Sequence, residues 1–97
     1  MIGRVTTCQT TLDKLDEVIK TFKEGDIPAA KSQKGFRGCY LLTDRKTGKF
    51  ISMSFWDSEK DITADERSGQ YQRRVGLRKH LYKAPPVREL YEVAAKH

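Results

Sequence analysis

Two apolar, aromatic-bearing runs, Phe36 to Thr43 and Lys49 to Trp56, are separated by only five residues, Asp44, Arg45, Lys46, Thr47 and Gly48. Aromatic and branched side chains at this density favour extended backbone, and Gly48 can take the left-handed conformation of a longer hairpin connection. The runs are expected to pair antiparallel. Side chains alternate between the faces of a strand. That alternation places Phe36, Tyr40 and Leu42 on one side and Cys39 and Leu41 on the other. In the next run it sets Phe50 and Trp56 against Ile51, Met53 and Phe55. Both faces of the hairpin therefore carry large apolar groups, and a bare face would expose a patch of several hundred Å². One helical layer cannot cover both, so the second face needs another sheet, a ligand or the bases of an RNA.

The rest of the chain supplies the helical layer. Val5 to Thr10 is rich in branched residues and reads as a strand, after which Thr10 or Thr11 can cap a helix. Leu12, Leu15, Ile19 and Phe22 then recur at helical spacing until Gly25 interrupts. Asp26 as a cap and Pro28 in a first turn suit a short restart ending near Gly35. Ser58 with Asp61 resembles a capping box and opens a helical region running to about Leu81, weakened by Gly69 and Gly76 and stopped by Pro85 and Pro86. Val87 to Ala94 reads as a last strand, with Leu90 on one face and Val87, Tyr91 and Val93 on the other. The order is β-α-β-β-α-β, an α+β ferredoxin-like sandwich with a four-stranded antiparallel sheet, in one domain over residues 1–97.

A domain of 97 residues with 37% hydrophobic and 33% charged residues has little apolar material for a monomeric core. A homodimer is expected. No stretch approaches the roughly 20 apolar residues of a membrane span, and no apolar leader precedes the first strand, so a cytoplasmic protein without a membrane partner is expected. Cys8 and Cys39 lack metal-ligand spacing and read as buried strand residues. The net charge of +6 is local: Arg67, Arg73, Arg74, Arg78, Lys79 and Lys83 form a stretch without an acidic residue, following the acidic run Asp57, Glu59, Asp61, Asp65 and Glu66.

Gly35-Phe36-Arg37-Gly38-Cys39-Tyr40-Leu41-Leu42, Asp44-Arg45-Lys46-Thr47-Gly48-Lys49 and Ser54-Phe55-Trp56-Asp57-Ser58-Glu59-Lys60-Asp61 together resemble the antibiotic biosynthesis monooxygenase family of dimeric α+β barrels. The ending Ala84-Pro85-Pro86-Val87-Arg88-Glu89-Leu90-Tyr91-Glu92-Val93 is similar to bacterial members as well. The resemblance implies two sheets packed face to face, each protomer enclosing a pocket between helices and sheet. Its branches include cofactor-independent oxygenases of aromatic polyketides, haem-degrading monooxygenases and quinol oxygenases. The haem-degrading pattern uses an Asn in the first strand and a Trp and a His in the second helix. This chain contains no Asn, and the ungapped helix positions are Asp65 and Val75. Neither haem, metal nor another cofactor is therefore expected.

His80 is the one non-terminal imidazole, and Arg78, Lys79 and Lys83 beside it would favour its neutral, basic form. It is the candidate catalytic base. Tyr71, Trp56 and Tyr40 are candidate stacking groups for an aromatic substrate, and Arg73 and Arg74 candidate partners of its anion; Tyr40 and Tyr91 also suit a dimer interface. The same strand and helix order serves RNA-recognition domains, and Lys34-Gly35-Phe36 begins like their sheet motif. Arg37 and Gly38 then depart from it, and Ser52 and Ser54 leave no stacking platform in the third strand, so no nucleic-acid partner is expected. The reading is a cofactor-independent monooxygenase acting on a small apolar or aromatic, quinol-like molecule held between sheet and second helix. A non-catalytic ligand-binding or stress-related barrel is the alternative.

Overall fold

Backbone hydrogen bonds join four strands into one antiparallel sheet in the computed structural model, which describes residues 1–97 and every side chain but that of Leu77. The strands are β1 (Ile2–Gln9), β2 (Phe36–Thr43), β3 (Lys49–Trp56) and β4 (Val87–Glu92), in the order β2-β3-β1-β4. The sequence-predicted hairpin is present, and its connector ends at Gly48 with φ 81°. The central pair β1 and β3 places Arg4 opposite Ser54, Thr6 opposite Ser52 and Cys8 opposite Phe50. Cys8, Ser54 and Phe50 are buried, so this parity faces the helices.

The face assignment of β2 needs one correction. Phe36 pairs with Trp56 and Gly38 with Phe55, so one extra residue, Arg37, is accommodated between them as a bulge. Gly38 has φ 142°, outside the range a side chain allows comfortably. The extra residue reverses the alternation and turns Phe36 to the helical side, where its ring meets Trp56 edge-on at 5.3 Å. Beyond the bulge Tyr40 and Leu42 stay on the outer face, and Cys39 and Leu41 on the inner one.

The first helical arm does not stop at Gly25. A 3₁₀ turn (Leu12–Lys14) leads into α1 (Leu15–Thr21), a π-helical turn (Phe22–Asp26) and α2 (Ile27–Lys31). Asp26 has helical backbone angles and makes no cap; the wider turn absorbs the glycine and carries the helix through. Its buried residues are Leu15, Val18, Phe22, Asp26 and Ala30, whereas Leu12, in the tighter leading turn, is 54% exposed. The second arm divides into α3 (Glu59–Arg67), α4 (Gly69–Arg78) and a 3₁₀ turn (Lys79–Leu81). Ser58 caps α3 as expected, accepting from the amide of Asp61. The break falls on Ser68, whose extended backbone ends α3 and whose hydroxyl accepts from the Tyr71 amide at 3.1 Å to start α4.

Cys8, Leu15, Val18, Phe50 and Leu81 form the core, with Ile19, Leu41 and Tyr82 packed against it. Trp56 closes the opposite end, fully buried, its Nε1 donating to Ser54 Oγ at 2.9 Å. The outer face leaves Tyr40, Leu42, Val87 and Tyr91 exposed. Gly48 is pinned twice: its φ is positive, and an added Cβ would lie 2.3 Å from the Thr10 carbonyl oxygen. Gly48→Ala is expected to cost about 2 kcal/mol, read as a lower urea midpoint at unchanged slope; an unaltered midpoint would show that the hairpin turn relaxes freely.

Candidate functional site

Helical spacing aims four residues of α4 at the sheet, because Tyr71, Arg74, Val75 and Arg78 fall at i, i+3, i+4 and i+7. Beneath them the inner sheet face carries short side chains, Thr6 and Ser52 on facing strands with Ser54 beside them. Large residues there would fill the gap between the layers. Short ones leave a cavity of about 110 Å³, walled on its other side by Val18, Phe22, Asp26 and Ala30 of the first arm.

Arginines and carboxylates alternate in a network that runs behind the cavity and into its wall. The wholly buried Asp65 carboxylate accepts from Arg4 Nη2 at 3.1 Å and from Arg74 Nη2 at 3.4 Å. Arg4 also donates to Glu66 at 3.2 Å and, through Nε, to Ser54 Oγ at 3.3 Å. Glu66 in turn accepts two bonds from Arg88 of β4, at 2.5 and 2.7 Å. On the other side Arg74 Nη1 donates to the Asp26 carbonyl at 3.3 Å, and Arg78 Nη1 donates to the Asp26 carboxylate. Of these groups Arg4, Arg74, Arg78 and Asp26 line the cavity, so its wall carries three guanidiniums and one carboxylate. The guanidiniums of Arg4 and Arg74 lie 5.2 and 5.5 Å from the centre of the Tyr71 ring. Both contacts are within cation–π range, and their low-dielectric setting strengthens them.

Burial dominates the protonation of the uncharged groups. It pushes the Cys8 thiol up to about 11, against the opposing pull of Arg78. It also raises the hydroxyls of Tyr71, opposed chiefly by Arg4, and of Tyr82, opposed chiefly by Arg78. Each folded-state value lies above the unfolded one, so each group contributes stability that is present below its unfolded pKa and lost as pH rises through the folded value. Unfolding free energy should therefore fall between pH 9 and about 11, and Cys8→Ala should flatten that decline in a pH series of urea titrations. A flat profile in the parent protein would contradict the protonated cavity.

The residues expected from sequence separate into distinct places. Tyr71 and Arg74 meet at the cavity. Trp56 supports it from below, with Arg4 5.4 Å from its ring, but is sealed from the cavity itself. Tyr40 stands on the outer sheet face, 64% exposed and edge-on to Phe55, with the sheet between it and the cavity. Arg73 is exposed on α4. His80 is exposed as well, with Nε2 3.8 Å from Glu17 Oε1, so a carboxylate from α1 joins the basic neighbours inferred from sequence. It follows the end of α4, in the 3₁₀ turn, and does not line the cavity.

Arg4, Asp65, Asp26 and Arg78 were not singled out as site residues from sequence. Their signal is charge at apolar positions: Arg4 shares the inward parity of Cys8, Asp65 follows Ile62 by three, and Asp26 lies four residues from both Phe22 and Ala30. Among the described residues no cluster of three or more His, Cys, Asp or Glu side chains converges in metal-binding fashion. No helix among them is long and apolar enough to cross a membrane.

A β-α-β-β-α-β sandwich with an arginine-rich cavity between helices and sheet is a ferredoxin-like α+β domain built around an internal site. The chain belongs to the antibiotic biosynthesis monooxygenase family, whose model matches residues 1–76. An uncharacterized protein of Mycobacterium tuberculosis strain H37Rv is 28% identical over 96 residues, which cover 98% of this chain and 42% of that protein. The chain thus spans less than half the length of that curated relative. Among solved structures, an antibiotic biosynthesis monooxygenase superposes with TM-score 0.81 at 14% identity, over 98% of this chain and all of the other. The Rv0793 protein of Mycobacterium tuberculosis gives 0.81 at 12% identity, over 98% and 96%. A conserved protein of Methanosarcina mazei Go1 gives 0.82 at 15%, over 93% and 89%. At these identities the superpositions establish the fold alone.

Proposed function

We propose that this domain is a cofactor-independent monooxygenase of a small aromatic or quinol-like molecule, working as a homodimer with its substrate between the sheet and α4. The observation that carries the reading is the Tyr71 ring with the Arg4 and Arg74 guanidiniums within 5.5 Å of its centre, lining a cavity with a polar floor. A flat substrate stacks on such surfaces, and guanidiniums aimed at its oxygen stabilise the phenolate or carbanion that forms there. That anion passes electrons to dioxygen. One oxygen atom enters the ring or its activated carbon, two substrate hydrogens leave with the other as water, and the substrate supplies all the electrons. The family match supports the oxygenase class, and the outer face bearing Tyr40, Leu42, Val87 and Tyr91 suits a second copy.

Size limits the substrate and assigns α4 a task. The cavity of about 110 Å³ is smaller than the roughly 150 Å³ apolar cavity that takes up benzene, which favours a substrate of a single ring. The Ser68 break lets α4 move with little strain in α3.

Oxygen consumption with a panel of hydroquinones and anthrones tests the reading. The parent protein should consume one dioxygen per substrate, and Arg74→Gln should lower kcat/KM about 100-fold, the scale set by removing one oxyanion donor. Saturable binding without oxygen uptake would replace the monooxygenase by a ligand-binding module, and an unchanged kcat/KM would remove Arg74 from the chemistry.

A further inference from the structure

The Asp26–Arg78 pair is incompletely satisfied in a way that matches one kind of ligand group. Arg78 Nη1 and Asp26 Oδ2 bond each other, yet Asp26 Oδ1 and Arg78 Nε are both buried without a hydrogen-bond partner. One is an acceptor that lacks a donor, the other a donor that lacks an acceptor. Each lies one covalent angle from an engaged sister atom, so both orphans belong to the same ion pair. Both residues line the cavity. Leaving such groups unpaired away from water is costly, and native structures leave few.

The backbone is arranged to place this carboxylate. Phe22, Asp26 and Ala30 form a buried stripe at four-residue steps, and the turn that carries Asp26 is π-helical, a form that is rare and concentrates at functional sites. Nothing in the packing of an apolar stripe calls for an acid there.

We propose that Asp26 and Arg78 bind a hydroxyl of the ligand, which donates to Asp26 Oδ1 and accepts from Arg78 Nε. A hydroxyl supplies both missing functions from one atom, whereas an ether oxygen can only accept. This assignment rests on the same cavity that serves the proposed oxygenation and adds a second polar end to it. Tyr71 and Arg74 contact the ring, and Asp26 with Arg78, one helical turn further along α4, holds a hydroxyl. Ligands without a free hydroxyl are selected against, because they leave the buried pair unpaired.

The test is titration of the full chain, by calorimetry, with hydroquinone and with 1,4-dimethoxybenzene, which has the same ring but no donor. The parent protein should bind hydroquinone at least about 10-fold more tightly, the ratio expected for hydrogen bonds to charged groups. In the double variant Asp26→Leu/Arg78→Met, which removes both charges together and leaves neither buried alone, the ratio should fall to about 2-fold or less. Should that variant fail to fold, Asp26→Asn decides the matter. Its amide oxygen faces Arg78 and its NH₂ replaces the acceptor, so the ratio should drop at least about threefold. No preference in the parent, or a preference that survives in the folded variant, overturns the assignment. A preference that depends on Asp26 without oxygen consumption would leave the assignment standing and sink the monooxygenase. Oxygen consumption whose KM and kcat are unaltered in the variants would do the reverse.

Discussion

Asp65→Leu is expected to destabilise the protein by about 3–5 kcal/mol, the range for removing one member of a buried ion network. The Asp65 side chain has no exposed surface and accepts from both Arg4 and Arg74, themselves only 10% and 13% exposed. Without it two guanidiniums stay in the interior, Arg4 still paired with Glu66 and Arg74 without its carboxylate. Urea unfolding followed by circular dichroism measures the loss, and a change below about 1 kcal/mol, the scale of an exposed pair, would show that the network is solvated and contributes little to the fold.

Tyr91→Asp should have a comparably large effect, on association instead of folding. Tyr91 is 53% exposed on the outer face, where its hydroxyl donates to Glu89 at 2.8 Å. A second copy covering that face would bury an aspartate beside a glutamate, and the neighbouring outer-face residues Gly3, Val5 and Val87 of β1 and β4 supply no cation. An uncompensated buried charge costs several kcal/mol, so the dimer dissociation constant should rise by about 100-fold or more. Sedimentation velocity across micromolar concentrations reads this directly. A parent protein that is monomeric there, or a variant that stays dimeric, would remove the outer face as the seam.

The physical reasons for what sequence reveals and conceals are visible in single residues. The hairpin at residues 36–56 is legible because strand composition and a turn glycine agree. The place of Phe36 is not, since one inserted residue at the bulge reverses every inference drawn from alternation before it. Gly25 reads as a stop because glycine weakens helices by roughly 1 kcal/mol, yet the packing of Phe22, Asp26 and Ala30 on the sheet outweighs that penalty and the chain takes a π turn instead.

The site follows the same logic. Tyr71 and Arg74 are found by looking for an aromatic beside a cation in the second helix, and they sit on its inward face. His80 attracts notice through its chemistry, but it stands exposed in the turn after α4, outside the cavity lining. Asp26, Asp65 and Arg4 go unnoticed because charge is ordinarily assigned to the surface, although their spacing against neighbouring apolar residues marks them as interior. Periodicity locates the buried charges here better than residue type does.

Chemical-shift mapping of the ¹⁵N-labelled protein during titration with hydroquinone tests most directly whether the cavity between sheet and α4 is the substrate site. The account predicts saturable shifts at Thr6, Cys39 and Ser52 on the inner sheet face and from Tyr71 to Arg78 along α4, with Tyr40, Leu42, Val87 and Tyr91 unmoved. Shifts confined to those four outer-face residues, or to His80 and its neighbour Glu17, would contradict it.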